Sequence, residues 1–128
     1  MTGLTRRQFG LFAGASAAAL SLPTYLRAQG KPRVVVIGGG AGGATAARYI
    51  AKDSDGAIDV TLIDDSEMFT TCFFSNLYVG GYRSFESITH SYDTLQSSYG
   101  ITKVTGRASS VDRAAKTVTM ADGSSIPY

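Results

Sequence analysis

Two stretches of the chain bring together residue types that do chemistry. In "IGGGAGG", Gly38, Gly40 and Gly43 fall on a G-x-G-x-x-G spacing. Gly38 suits a tight turn, Gly40 lets the backbone approach a pyrophosphate, and Gly43 lets the following helix pack on the preceding strand. The amino terminus of that helix then offers free N–H groups and a partial positive charge to phosphate. Asp64 closes an apolar segment 21 residues beyond Gly43. A carboxylate at that place hydrogen-bonds ribose hydroxyls and repels a 2′-phosphate, which disfavours NADP. Asp65 is its rival, but Asp64 continues the strand alternation whereas Asp65 starts the loop. The second stretch, "FTTCFFSN", holds the only cysteine, Cys72. A single thiol closes no disulfide within the chain, so Cys72 is either a small buried hydrophobe or a nucleophile.

Elements of the right kind surround both stretches. Val34 to Ile37 is a β-branched run bounded by glycine, which predicts a central parallel strand buried on both faces. The alanine-rich "ATAARYIAK" predicts a helix, and Ile58 to Ile63 a second strand that completes a βαβ unit. Gly80 and Gly81 predict a turn. "SITHSYDTLQSSYG" reads as a short helix ended by Gly100, and Ile101 to Thr105 as a third parallel strand. The closing "RASSVDRAAKTVTMADGSSIPY" alternates between polar and apolar residues and is broken at "DRAAK" and at Asp122-Gly123, which predicts an antiparallel three-stranded meander. The fold class is therefore α/β: a Rossmann-like βαβ domain with a parallel sheet and a β-meander. His90, the only histidine, falls near the start of the second helix with no acid or nucleophile at motif spacing, so a structural or capping role is expected. No cluster of residues has metal-ligand spacing, and no catalytic residue is assigned.

The first 28 residues have a different character. Arg6 and Arg7 precede an uncharged run from Gln8 to Leu26, and Ala28 is small enough for cleavage. This is the layout of an export signal, and the adjacent arginines fit the twin-arginine route. The run is built largely of Ala, Ser and Gly and contains Pro23, which favours a removable signal over a stable membrane anchor. The whole chain has 12 basic and 10 acidic residues. Removing Arg6, Arg7 and Arg27 leaves nine basic residues against ten acids, and no basic patch suited to nucleic acid remains. The expected organisation is a signal at 1–28 and the amino-terminal part of an FAD/NAD(P)-binding domain at 29–128.

The adenine dinucleotide is either FAD or NAD. In flavoproteins with two dinucleotide sites the amino-terminal βαβ unit holds FAD, which makes FAD the expected cofactor. The eight residues from Asp64 to Cys72 span up to about 26 Å when extended, enough to pass from an adenosine ribose toward the flavin ring. "VVVIGGGAGGATAARYI", "VTLID", "TTCFFSNLYVGG" and "ESITHSYDTL" together resemble the flavoprotein subunit of flavocytochrome c sulfide dehydrogenase, of the FAD-dependent pyridine nucleotide-disulfide oxidoreductase superfamily.

The resemblance implies that Cys72 forms a thioether to the 8α carbon of FAD. It also implies a periplasmic enzyme that oxidises sulfide and passes electrons through the flavin to a c-type cytochrome subunit. The family's second dinucleotide region, redox-active cysteine pair and carboxy-terminal domain have no counterpart before Tyr128. A truncated domain, inactive alone, is therefore expected. Alternatives are a sulfide:quinone or related pyridine nucleotide-disulfide oxidoreductase with noncovalent FAD, and a non-catalytic nucleotide-binding remnant.

Overall fold

The computed structural model of the chain describes residues 30–128, so the expected signal at 1–28 lies outside the described residues. Three parallel strands form the central sheet: β1 (Arg33–Ile37), β2 (Asp59–Asp64) and β5 (Thr102–Thr105), in the order β1-β2-β5. Val36 pairs with Leu62, and Leu62 with Lys103. Helix α1 (Ala41–Asp53) makes the crossover from β1 to β2. Its small residues Ala47 and Ala51 are buried, so the helix backbone can approach the sheet closely.

The period of two along each strand splits the core into two layers. Val60 and Leu62 face Ala47, Ala51, Tyr92 and Ile101 on the helical side. Ile63 faces the other way, onto Val118 and Met120 of an antiparallel sheet made of β6 (Ala108–Asp112), β7 (Thr117–Met120) and β8 (Ser125–Pro127). Helices, parallel sheet and meander thus form three layers. The expected α/β class and the meander are both found.

Two expectations are corrected. Among the described residues β1 pairs only with β2, and Val34, Val35 and Val36 are half-buried, so β2 rather than β1 is the central strand. The helix expected from Ser87 to Gly100 is three elements instead: a 3-10 turn at Glu86–Ile88, strand β4 (Thr89–Ser91), and helix α3 (Asp93–Tyr99). β4 pairs antiparallel with β3 (Met68–Thr70), Thr70 opposite Thr89, and their hydroxyls are 3.3 Å apart. The β-branched Thr89 suits this exposed ladder. Its pairing partner is 19 residues away, so periodicity within the segment does not reveal it. The expected end of the helix holds: Gly100 adopts the left-handed conformation at φ 65° and caps α3. Among the described residues no helix is long and apolar enough to cross a membrane.

Candidate functional site

The glycine loop joins β1 to α1 at the carboxyl ends of the parallel strands, where ligands of open α/β sheets bind. Gly38 takes φ 98°, a conformation that a side chain strains. A Cβ at Gly43 would overlap the carbonyl oxygen of Gly38, so helix and strand can meet this closely only at glycine. A Cβ at Gly40 would meet nothing nearer than the edge of the Phe69 ring, at 4.0 Å. The first α1 amide bonded to a backbone carbonyl is that of Ala44, which donates to Gly40 at 2.9 Å. The amides of Ala41, Gly42 and Gly43 lie in the unpaired first turn, which is the donor set an anion requires.

Asp64 stands beside this loop. Its carboxylate accepts from Gly39 N–H at 2.5 Å and from Ser66 N–H at 2.9 Å, one oxygen each. A carboxylate has about four acceptor sites, so both oxygens keep capacity for hydroxyl donors. Asp65 is exposed, with only the Ser66 hydroxyl nearby at 3.4 Å. A shallow cleft of about 240 Å³ lies over the strand ends, lined by Gly38, Ile63, Asp64, Asp65, Gly106 and Arg107.

β3 follows β2 and pairs with β4 in a separate two-stranded ladder, and Cys72 comes two residues after its end. Among the described residues the thiol is free and exposed. Ser75 closes the turn, its amide and hydroxyl both donating to the Cys72 carbonyl at 3.2 and 2.8 Å. Phe74 adopts φ 63°, a strained conformation for an aromatic residue, at the start of the short helix α2 (Ser75–Val79). Arg83 lies 4.7 Å from the centre of its ring. An open cleft of about 340 Å³ is lined jointly by Ala41 of α1, by Phe69, Thr71, Phe73 and Phe74 around the cysteine, and by Arg83 and His90. The helix start and the thiol-bearing segment therefore border one space.

His90 is on β4 opposite Phe69 and exposed, three residues before the first residue of α3. Among the described residues no group of acids, histidine and cysteine could hold a metal.

Sequence reasoning missed two members of the site. Gly39 fills the first x of the motif, yet it is buried and its N–H reaches Asp64. Tyr92 donates its hydroxyl to the Gly39 carbonyl at 3.0 Å from 53 residues away. Three consecutive glycines were the available signal for Gly39; nothing local marked Tyr92. Burial, followed by the charges of Asp64 and Asp65, raises the Tyr92 pKa above the ordinary phenol value, so the hydroxyl stays a donor.

With this geometry in hand, comparison with known proteins is informative. The profile of the pyridine nucleotide-disulphide oxidoreductases matches residues 32–128. The flavoprotein chain of sulfide dehydrogenase (flavocytochrome c) from Chlorobaculum thiosulfatiphilum is 53% identical over 47 residues, 37% of this chain and 96% of that sequence. Sulfide-quinone reductase from Aquifex aeolicus (strain VF5) is 38% identical over 96 residues, 74% of this chain and 22% of the relative. Among solved structures, the Aquifex aeolicus sulfide:quinone oxidoreductase superposes with a TM-score of 0.67 at 34% identity, over 76% of this chain and 22% of that one. A NAD-dependent persulfide reductase from A. fulgidus gives 0.67 at 26% identity, over 75% and 20%. The chain thus spans about a fifth of the length of the sulfide-quinone reductase and of these solved structures.

Proposed function

The chain belongs to the pyridine nucleotide-disulphide oxidoreductase family, and from that premise we propose that it is the FAD-binding part of a sulfide-oxidising flavoprotein. The observation that carries this reading is the common space bordered by the free end of α1 and the segment bearing an exposed thiol. The amides of the first α1 turn and the close backbone approach at Gly40 would hold the pyrophosphate, with Gly38 and Gly43 fixing the turn. Asp64 accepts from the adenosine ribose. Cys72 would anchor the ring end: its thiolate would add to the 8-methylene tautomer of oxidised flavin, the thiol and 8α protons being lost to solvent, and the electron pair thereby taken up by the ring would leave to the same acceptor that serves turnover. When bound, the flavin supplies an acceptor for an electron pair from sulfide sulfur and releases electrons singly. This chain's residues bind and orient it, and hold no sulfur-handling cysteine pair.

The 53% identity to a flavocytochrome c flavoprotein chain favours a c-type cytochrome as partner. The similarity to sulfide-quinone reductase favours a second reading with noncovalent FAD and a quinone acceptor. Domain limits of 1–28 for a twin-arginine signal and 29–128 for the cofactor domain, with delivery to the periplasm, complete the proposal. The deciding experiment adds sulfide anaerobically to the natural full-length protein. Bleaching of the flavin band, followed by reoxidation by a c-type cytochrome but not by a quinone, is expected. An unbleached flavin overturns sulfide as substrate, and reoxidation by quinone alone selects the second reading.

A further inference from the structure

Gly39 is gripped on both of its polar atoms. Its N–H donates to Asp64 and its carbonyl accepts from Tyr92. These atoms belong to two successive peptide planes, so the two bonds fix the orientation of both. In a trans peptide the carbonyl and the following N–H point in opposite directions. With the Gly39 carbonyl drawn onto the Tyr92 hydroxyl, the Gly40 N–H points away from the tyrosine.

Tyr92 is itself firmly placed. It is 4% exposed, and its ring packs in the core with Ala47, Leu62 and Ile101. The Lys103 ammonium stands 5.0 Å from the ring centre and donates to the carbonyls of Asp64 and Ser66, each at 3.1 Å. Tyr92 also follows β4 directly, and Ser91 at the end of β4 pairs with Met68 of β3, the strand that runs on to Cys72. One side chain therefore connects the glycine loop to the hairpin beside the thiol. A Cβ on Gly39 would collide with the Tyr92 hydroxyl, so this contact requires glycine at position 39.

We propose that Tyr92 is a positioning residue of the dinucleotide site: its hydroxyl sets the Gly39–Gly40 peptide in the ligand-ready orientation before the cofactor arrives, and registers that loop against the Cys72 hairpin. The inference rests on the dinucleotide-binding reading above. Tyr92→Phe keeps the packed ring and deletes only the donor, leaving a buried carbonyl unpaired.

The test uses the natural full-length protein carrying Cys72→Ser, so that binding is reversible, with FAD and ADP as probes. Tyr92→Phe is expected to weaken both by about tenfold, and to speed amide exchange at Gly39 in the ligand-free protein by a similar factor. Replacing Tyr92 by 4-aminophenylalanine, which restores an N–H donor at the same place, is expected to recover both to within about twofold. A general loss of packing is not recovered in this way. Unchanged affinity and exchange in Tyr92→Phe, or losses that the amino variant leaves in place, overturn the proposal. If the parent binds neither probe, the dinucleotide reading fails, and the exchange rates at Gly39 still decide whether Tyr92 sets the loop.

Discussion

Asp64, the last residue of β2, accepts a hydrogen bond from the backbone N–H of Gly39, 25 residues earlier and two residues past the end of β1. The bond ties the tips of two neighbouring parallel strands at the point where the chain must bend into α1. It gives Asp64 a task in the ligand-free protein beside the ribose contact proposed for it. Asp64→Ala is therefore expected to weaken FAD at least tenfold, through the lost ribose acceptor and a looser loop together. Asp65→Ala, with its side chain in solvent, should change affinity by less than about twofold. Titration with FAD of both variants in a Cys72→Ser background checks this, and equal losses would return Asp65 to the role.

Gly42 and Gly43 make a contrasting pair on α1. A Cβ at Gly42 meets nothing within 4 Å, whereas one at Gly43 overlaps the Gly38 carbonyl. Gly42→Ala should stabilise the domain by about 0.5–1 kcal/mol through the lower entropy cost of ordering the helix. Gly43→Ala should destabilise it by about 1–3 kcal/mol, because helix and strand must separate. Thermal melts should move in opposite directions. A common direction would mean that the packing at Gly43 relaxes freely.

The Tyr92 pKa gives a pH dependence of definite sign. It is raised in the folded protein, by burial first and then by Asp64 and Asp65. The stability linked to the protonated hydroxyl is fully present below the unfolded value of about 10. It is lost as pH rises from there through the higher folded value. Unfolding free energy should fall across that alkaline window in the parent, and less steeply in Tyr92→Phe. Parallel profiles for the two proteins would place the phenol in a solvent-like environment.

Local patterns in the sequence were sufficient for much of this architecture. The β-branched run before the glycines, the alanines of α1 and the break at Asp122-Gly123 each announce their element through composition. Gly100 announces the end of α3 in the same way. What escaped is non-local. Strand β4 exists because Thr89–Ser91 finds Met68–Thr70, and Tyr92 joins the site because its ring reaches across the core to Gly39. That β1 pairs only with β2 among the described residues likewise depends on which strands meet, not on its own residues. The positive φ of Gly38, the tight packing at Gly43 and the approach of Asp64 to the glycine loop were legible because their spacing carries geometry along one βαβ unit. Cys72 was conspicuous as the sole cysteine, but nothing in its own stretch announced the turn in which Ser75 bonds its carbonyl.

The amino-terminal residues give a prediction independent of the site. Arg6 and Arg7 precede the uncharged run, and the twin-arginine route reads an arginine pair where lysines serve poorly. Changing both to lysine should leave the protein in the cytoplasm with its cofactor already bound. Fractionation of the two forms checks this, and unchanged periplasmic delivery would point to another export route.

Cys72 separates the covalent and noncovalent readings most directly. Its thiol is exposed, and it follows closely on Phe69, whose ring edge faces the glycine loop. If the sulfur is bonded to the 8α carbon, acid denaturation of the natural full-length protein should leave flavin on the polypeptide, and proteolysis should give a yellow peptide containing Cys72. Cys72→Ser should release its flavin on denaturation, because a serine hydroxyl is a far poorer nucleophile than a thiolate. Its affinity for FAD before denaturation should nevertheless stay within about tenfold of the unlinked parent, since the loop from Gly38 to Gly43 and Asp64 are untouched. Flavin wholly in the acid supernatant of the parent protein would exclude the thioether and favour the sulfide:quinone type of site. The dinucleotide loop would keep its role in either case, because the contacts that build it do not pass through the sulfur.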